Sequence, residues 1–503
     1  MPAQDLEQNI WQLVKAGKLN DAAAACDQLN EAFPDYGSGW STSSRVAISL
    51  NEPLIALKAI ERALLITPGE PVWLLQKMAS LAVLSDLTAA NAVADEIAKH
   101  DFATAYHASS CAVTLTRLER FADAEFHYQR AVDLEPDSPI YQFNLASAQR
   151  FLGKLDAARE SLDRTLQLNP VDCEAQLLRS ELNTQTESDN NVDSLHSTLE
   201  KLPEEHPGRV QLYFALAKEL DDLQRYEESF QKLQLGASER RSKLTYQASH
   251  DLHTMATIRE QFGKDVIDSA AQGFINAEPI FVVGMPRSGT VLVDRILSSH
   301  SVVQSVGEPQ SFGLELMNQC EKAAGVTPKN ALELLAAARE IDFAALGEAY
   351  LNRVRPADGE YAHFVDKLPL NFMYASLIHL ALPKAKIVLT ERDPMDNCYT
   401  AFRTLFTGAC PYTYDLDELA NYFVEYRQLI DHWRSVMPGV MHTVRYEDLV
   451  GDSRPVVEGL LDHCDLSLED QCFDHRAEAV GKWRNYSDQL QPVADILQRA
   501  GYG

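Results

Sequence analysis

A chain of 503 residues, 46% hydrophobic and 23% charged, is too long for a single core and too apolar for extended disorder, so two or more domains are expected. Its formal net charge of −28 repels polyanions, which excludes general nucleic-acid binding and requires any anion site to be built from local arginines and lysines. The eight cysteines are scattered, with no Cys-x-x-Cys pair and no histidine spacing suited to zinc, so no metal site and a reducing compartment are expected.

The N-terminal stretch MPAQDLEQNIWQLV carries acidic residues and has no basic segment leading into an apolar one, which predicts a cytoplasmic protein. From there three series recur every 34 residues in one register. Turn-forming or small residues stand at Gly17, Asn51, Ser85, Glu119 and Gly153, and alanines at Ala22, Ala56, Ala90, Ala124 and Ala158. Pro34, Pro68, Phe102, Pro136 and Pro170 close the units, with a helix breaker in four of five cases. This resembles the tetratricopeptide (TPR) pattern, a helix hairpin that buries its apolar face only by stacking on its neighbours. Trp40, Leu74 and Leu115 are expected in the core.

Beyond Pro170 the register weakens. The polar stretch from Thr186 to Asn191 interrupts it, and a repeat-like unit returns with Tyr213, Leu216, Ala217, Leu220, Tyr226 and Leu233. The basic segment Ser238 to Lys243 then leads into a helical stretch that reads as a connector. The expected division is a repeat array over 1–236, a helical connector over 237–277 and an enzyme domain over 278–503. His250 and His253 lie one turn apart with no third ligand in sight, and a surface or packing role is expected for them.

The segment PIFVVGMPRSGTVLVDRILSSH, Pro279 to His300, places a buried strand, a Gly-bounded turn and a helix start in immediate succession. Free N–H groups and the helix dipole make such a turn a cradle for an anion. The glycine spacing is that of a nucleotide P-loop, but Thr290 and Val291 follow Gly289 where Lys-Ser or Lys-Thr would complete it. Without that lysine a magnesium-dependent kinase or NTPase is disfavoured. Arg287, inside the turn, is a planar fork able to grip two oxygens at once.

Downstream, AKIVLTERDPMDNCYTAFRTLF (Ala385 to Phe406) reads as a strand ending at Arg392, a helix N-cap at Asp393 and a proline at the first helical position. The two segments together resemble the phosphosulfate-binding and 3′-phosphate-binding motifs of sulfotransferases that use 3′-phosphoadenosine-5′-phosphosulfate (PAPS). The pattern is closest to the tyrosylprotein type and the bacterial TPR-fused type. The resemblance covers roughly 278–486 and implies a P-loop-like α/β domain with a mainly parallel sheet of four or five strands behind an α-helical repeat array. It implies that Arg287, Ser288, Gly289 and Thr290 hold the 5′ end of PAPS, and that Arg392 and Thr400, eight positions apart, hold its 3′-phosphate.

The resemblance also extends to the chemistry. In SVGEPQSF, Glu308 stands 21 residues after Arg287 and matches the family's catalytic base; an ion pair with Arg287 that merely orders the loop is the other reading. In HFVDKLPLNF, Lys367 matches a lysine that reaches the sulfuryl group, with a solvated surface lysine as the alternative. In AVGKWRNY, Ala479 to Tyr486, Lys482 and Trp483 match the segment that closes over the cofactor, although Trp483 stacking on adenine and Trp483 packing in the core are equally open. Tyr446, Glu447 and Asp448 are expected to be structural.

Two departures stand out: Val291 replaces a hydroxyl residue, and Gly481 replaces a serine. The expected activity is metal-free transfer of a sulfuryl group from PAPS to a hydroxyl or amine, leaving 3′-phosphoadenosine 5′-phosphate (PAP). A repeat array suggests a protein or peptide acceptor on its concave face. The alternative is a TPR scaffold whose C-terminal domain binds PAP or PAPS but turns over weakly. The uncharged run Leu368 to Pro383 is 16 residues long and includes Asn371 and His379, so a buried helix is expected there and no membrane span.

Overall fold

A computed structural model describes residues 2–98, 100–269, 273–355, 361–475 and 480–502. The chain packs as two compact units, Met1–Leu168 with Asn352–Ala357, and Asn169–Leu351 with Asp358–Gly503.

In the first unit the described residues up to Leu168 form ten helices in five antiparallel pairs, from Ala3–Lys15 with Leu19–Ala32 to Pro139–Phe151 with Leu155–Leu168. The period of 34 has a conformational cause. Each residue of the first series joins the two helices of a pair with positive φ: Gly17 at 72°, Asn51 at 61°, Ser85 at 55°, Glu119 at 58° and Gly153 at 72°. Each alanine of the second series is 0% exposed, because it sits where two helix backbones approach most closely. Lengthening one of these side chains has nowhere to go. Ala124→Leu is expected to cost about 1–3 kcal/mol, read as a lower melting temperature of the intact chain.

Leu74 and Leu115 belong to the core, but Trp40 is only partly buried. Its indole N–H donates to the Pro34 carbonyl at 2.9 Å. Gln142 makes the same bond to Pro136 at 3.4 Å, and in the second unit Gln176 makes it to Pro170 at 2.9 Å. Where this position carries a donor it clamps the proline turn, and where it carries Leu74 or Ala108 it is buried in the core.

The second unit combines the last helices of the array with an α/β domain. Arg209–Asp222 and Tyr226–Ser242 form a hairpin, again with a left-handed linker, Gln224 at φ 60°. Ser229 takes the alanine position, 3% exposed, and its hydroxyl donates to the Ala217 carbonyl at 2.6 Å. The helix Tyr226–Ser242 runs without a break through 236/237, so division by packing falls at Leu168/Asn169 and division by motif falls elsewhere. The following helix, Ala248–Gln261, pairs Arg259 with Glu425 at 2.7 Å, while Arg241 pairs with Glu418 at 2.7 Å.

The sheet has five strands: β1 (Pro279–Gly284), β2 (Val303–Ser305), β3 (His363–Asp366), β4 (Lys386–Glu391) and β5 (Met441–Arg445). Every pairing is parallel and the order is β2-β3-β1-β4-β5. All six residues of β1 are buried, as a central strand covered on both faces requires. The connection leaving β1 runs to β2 on one side and that leaving β4 runs to β5 on the other. Such a reversal opens a crevice at the carboxyl ends of β1 and β4, where α/β sheets bind ligands. The uncharged run folds as a 3₁₀ turn, Pro369–Tyr374, and a short buried helix, Ala375–Ala381. Among the described residues no helix is long and apolar enough to cross a membrane.

Candidate active site

β1 delivers the chain into the crevice through Gly284, φ 153°, and Gly289, φ 108°, caps the helix Thr290–Ser298. A Cβ on Gly284 would lie 2.5 Å from the Thr390 carbonyl, and one on Gly289 would lie 2.5 Å from the Tyr446 ring, so both positions require glycine. Between them Ser288 N–H closes a turn onto the Met285 carbonyl at 3.1 Å. Ser288 Oγ and Thr390 Oγ1 share a 2.6 Å hydrogen bond that ties the turn to β4. Ser288 and Thr290 are buried, while Arg287 is exposed at the rim in a left-handed conformation, φ 68°.

Arg392 leaves the end of β4 beside this turn and donates through Nη1 to the Arg287 carbonyl at 3.3 Å. Its guanidinium lies 4.6 Å from the centre of the Tyr446 ring, the same ring that closes off Gly289. Asp393 caps the helix Pro394–Phe402 by accepting the Asp396 N–H at 2.9 Å, and its own N–H donates to Glu447 at 2.8 Å. Asn397 on that helix donates to the Pro286 carbonyl at 3.1 Å. Tyr446 thus lies as a platform beneath Arg392 and Gly289, and Glu447 clamps the start of the following helix. Thr400 lies buried on the same helix, two turns beyond Arg392. Arg392 Nε and Asn397 Oδ1 are buried with no partner among the described residues.

The ends of β2 and β3 bring Glu308 and Lys367 together, Nζ to Oε1 2.6 Å. Lys367 is 8% exposed, so it is not a solvated surface lysine, whereas the Glu308 side chain is 51% exposed and open to a reactant. Gly307, φ 71°, makes the turn that aims Glu308, and its carbonyl accepts the Lys367 N–H at 2.8 Å.

Beneath this pair lie two carboxyls that sequence reasoning did not single out. Burial pushes Asp366 up to about 7, against hydrogen bonds from Tyr350, at 2.8 Å, and Leu368 that favour its ionised form; Asn371 also bonds it, at 3.1 Å. Burial likewise pushes Asp294 up to about 6, with a Ser305 hydrogen bond and Lys367 opposing the shift. Both folded-state values exceed the unfolded one near 3.8, so the folded chain binds the extra protons between pH ~4 and ~7. Their ionisation therefore weakens the fold as pH rises through that window.

The closing segment is the 3₁₀ turn Lys482–Tyr486. Gly481 donates its N–H to Asp396 in a left-handed conformation, φ 82°, which favours glycine where the resemblance expects serine. Trp483 is partly buried, its Nε1 without a partner among the described residues, and Arg484 lies over its ring at 5.1 Å. Lys482 is exposed, 3.9 Å from Asp221 Oδ2, and Arg403 stands 3.7 Å from the same oxygen. Ala479, where the motif begins, lies outside the described residues.

The segment is anchored on the repeat-like hairpin. Tyr486, 0% exposed, donates to Asp221 and packs its ring against Tyr226 at 5.6 Å, Phe230 at 5.8 Å and Tyr399 at 4.8 Å. A chain lacking residues 1–236 loses Asp221, Tyr226 and Phe230 together. Losing an aromatic ring costs about 3–5 kcal/mol, so that truncation is expected to show no cooperative melt by circular dichroism.

Residues 279–470 match the family model described as "Sulfotransferase family". The second unit carries a sulfotransferase-family domain. Residues 141–172 match the model described as "Tetratricopeptide repeat". The sulfotransferase match, 279–470, covers all five strands, the Gly284–Gly289 turn, Glu308, Lys367, Arg392 and Thr400. An uncharacterized protein of Aquifex aeolicus (strain VF5) is 29% identical over 374 residues, 69% of this chain and 48% of that one. The chain thus spans about half the length of this curated relative. Among solved structures, pilF of Pseudomonas aeruginosa is 15% identical, with 42% of this chain and 94% of that one covered and a TM-score of 0.36. PilW, described as a widely conserved type IV pilus biogenesis factor, is 16% identical, with 46% and 97% covered and a TM-score of 0.34.

Proposed function

We propose that the second unit transfers a sulfuryl group from PAPS to a hydroxyl, protein or peptide tyrosine among them, or to an amine acceptor, in the cytoplasm. The observation that carries the reading is the crevice between β1 and β4, where two arginines are linked through the Arg392–Arg287 hydrogen bond beside a turn that admits only glycine at both ends. The buried, unpartnered Arg392 Nε fits an anionic ligand, since a guanidinium N–H stripped of water needs an acceptor. PAPS, when bound, supplies an activated sulfuryl group and leaves as PAP.

In this reading Arg287 and the amides of Ser288, Gly289 and Thr290 hold the 5′ end, and Arg392 and Thr400 hold the 3′-phosphate. Lys482 and Trp483 close the site. Glu308 takes the acceptor proton as the new O–S or N–S bond forms and the S–O bond to the leaving phosphate breaks. Lys367 meets the charge on the sulfuryl oxygens, and its 2.6 Å pair with Glu308 supports placing base and cation on the same group. The eight buried, free cysteines support a reducing compartment. The motif division into 1–236, 237–277 and 278–503 assigns acceptor presentation to the repeats, joining to the connector and transfer to the rest.

Calorimetry with PAP and turnover of labelled PAPS over phenol, alcohol and amine acceptors test the proposal together. Micromolar PAP binding with transfer supports it. PAP binding without transfer to any acceptor favours a scaffold, a reading to which exposed Val291, at the first turn of the cradle helix, lends weight.

A further inference from the structure

Asp294 lies in the second turn of the helix that leaves the cradle, 9% exposed, with Oδ1 buried and unpartnered among the described residues. Its carboxyl is hydrogen-bonded by Ser305 at the end of β2. Ser305 Oγ also accepts the Gly307 N–H at 3.2 Å, and the Gly307 carbonyl accepts the Lys367 N–H at 2.8 Å. Segments leaving β1, β2 and β3 therefore converge beneath the Lys367–Glu308 pair, and Asp294 is a buried carboxyl among them that, unlike Asp366, keeps an oxygen unpartnered among the described residues. Lys367 and Arg295 favour its ionised form, while Glu308 and burial oppose it.

A carboxylate held this deep with an unpaired oxygen weakens the fold, because an uncharged group of the same shape would avoid the desolvation cost. Groups so placed beside a reactive pair point to a use for their charge. As Glu308 accepts a proton it loses its pull on Lys367, and a second negative charge nearby keeps the ammonium in place.

We propose that Asp294 is a positioning residue for sulfuryl transfer, orienting the Ser305–Glu308 turn through Ser305 and supplying the second negative charge that holds Lys367. It rests on the assignment of Glu308 and Lys367 made above. Asp294→Asn keeps the shape and a hydrogen bond to Ser305 but removes the charge. Ser305→Ala keeps the charge but cuts the link to the turn.

The test uses the full chain. Turnover of labelled PAPS is followed from about pH 5 to about pH 9 with whichever phenol, alcohol or amine the wild type uses fastest, alongside PAP calorimetry and thermal melts. Asp294→Asn is expected to lower kcat by about tenfold and to move the acidic limb of the kcat profile, with the Kd for PAP within about twofold and a melting temperature at or above wild type. Ser305→Ala is expected to lower kcat while leaving the limb in place. A wild-type kcat and pH profile in Asp294→Asn, or loss of PAP binding in that variant, overturns the role of Asp294. A wild-type chain that neither binds PAP nor transfers label overturns the donor assignment itself.

Discussion

Glu308→Gln is expected to lower kcat for sulfuryl transfer by about a hundredfold to ten-thousandfold, the usual worth of a positioned general base, with PAP affinity nearly unchanged. Glutamine keeps the size of the side chain and can still accept a hydrogen bond from Lys367 Nζ, which Glu308 receives at 2.6 Å. It cannot take a proton. The Glu308 end of the pair is half exposed but Lys367 is 8% exposed, so loss of its counter-charge is expected to lower the melting temperature, and kcat is read at a temperature where the variant is folded. A kcat within threefold or so of wild type at saturating donor would remove Glu308 from the chemistry and leave it as an ornament of the loop.

Arg392→Leu is expected to do the reverse, weakening PAP by roughly a hundredfold to ten-thousandfold while the melting temperature holds or rises. Two charge-assisted hydrogen bonds to a phosphate, each about 1.5–3 kcal/mol, are lost with the guanidinium. Without ligand, Arg392 is 9% exposed, donates through Nη1 to the Arg287 carbonyl at 3.3 Å and has no partner for Nε among the described residues. A leucine in its place avoids the desolvation and keeps apolar contact with the Tyr446 ring. Calorimetric titration with PAP, with a thermal melt of the same sample, separates the two effects.

The repeat array was legible because its constraints are local and periodic. A left-handed linker at Gly17 or Asn51, and an alanine where helices touch at Ala22 or Ala56, write themselves into the sequence at fixed spacing. Trp40 misled because a large aromatic at a helical face reads as core, whereas its N–H clamps Pro34 and leaves part of the ring in solvent. The cradle was legible for the same local reason: strand, glycine turn and helix are contiguous from Pro279 to Ser298.

What escaped was everything made by distant chain segments. Lys367 and Glu308 are 59 residues apart, and only the order of β2 beside β3 sets them against each other. Asp294 looks from sequence like one polar residue on an amphipathic helix; its burial depends on the β2 and β3 loops folding over it. Asp221 and Tyr486 are separated by 265 residues, so no pattern near either could announce that the last repeat-like hairpin carries the closing segment. Gly481 looked like a lost hydroxyl, and its φ of 82° makes it a backbone requirement instead.

The most direct test of the account is a crystal structure of the full chain with PAP. The 5′-phosphate should lie on the amides of Ser288 to Thr290 beside Arg287, and the 3′-phosphate within hydrogen-bonding distance of Arg392 and Thr400. PAP bound away from both arginines, or a crevice that stays empty at millimolar PAP, would contradict it.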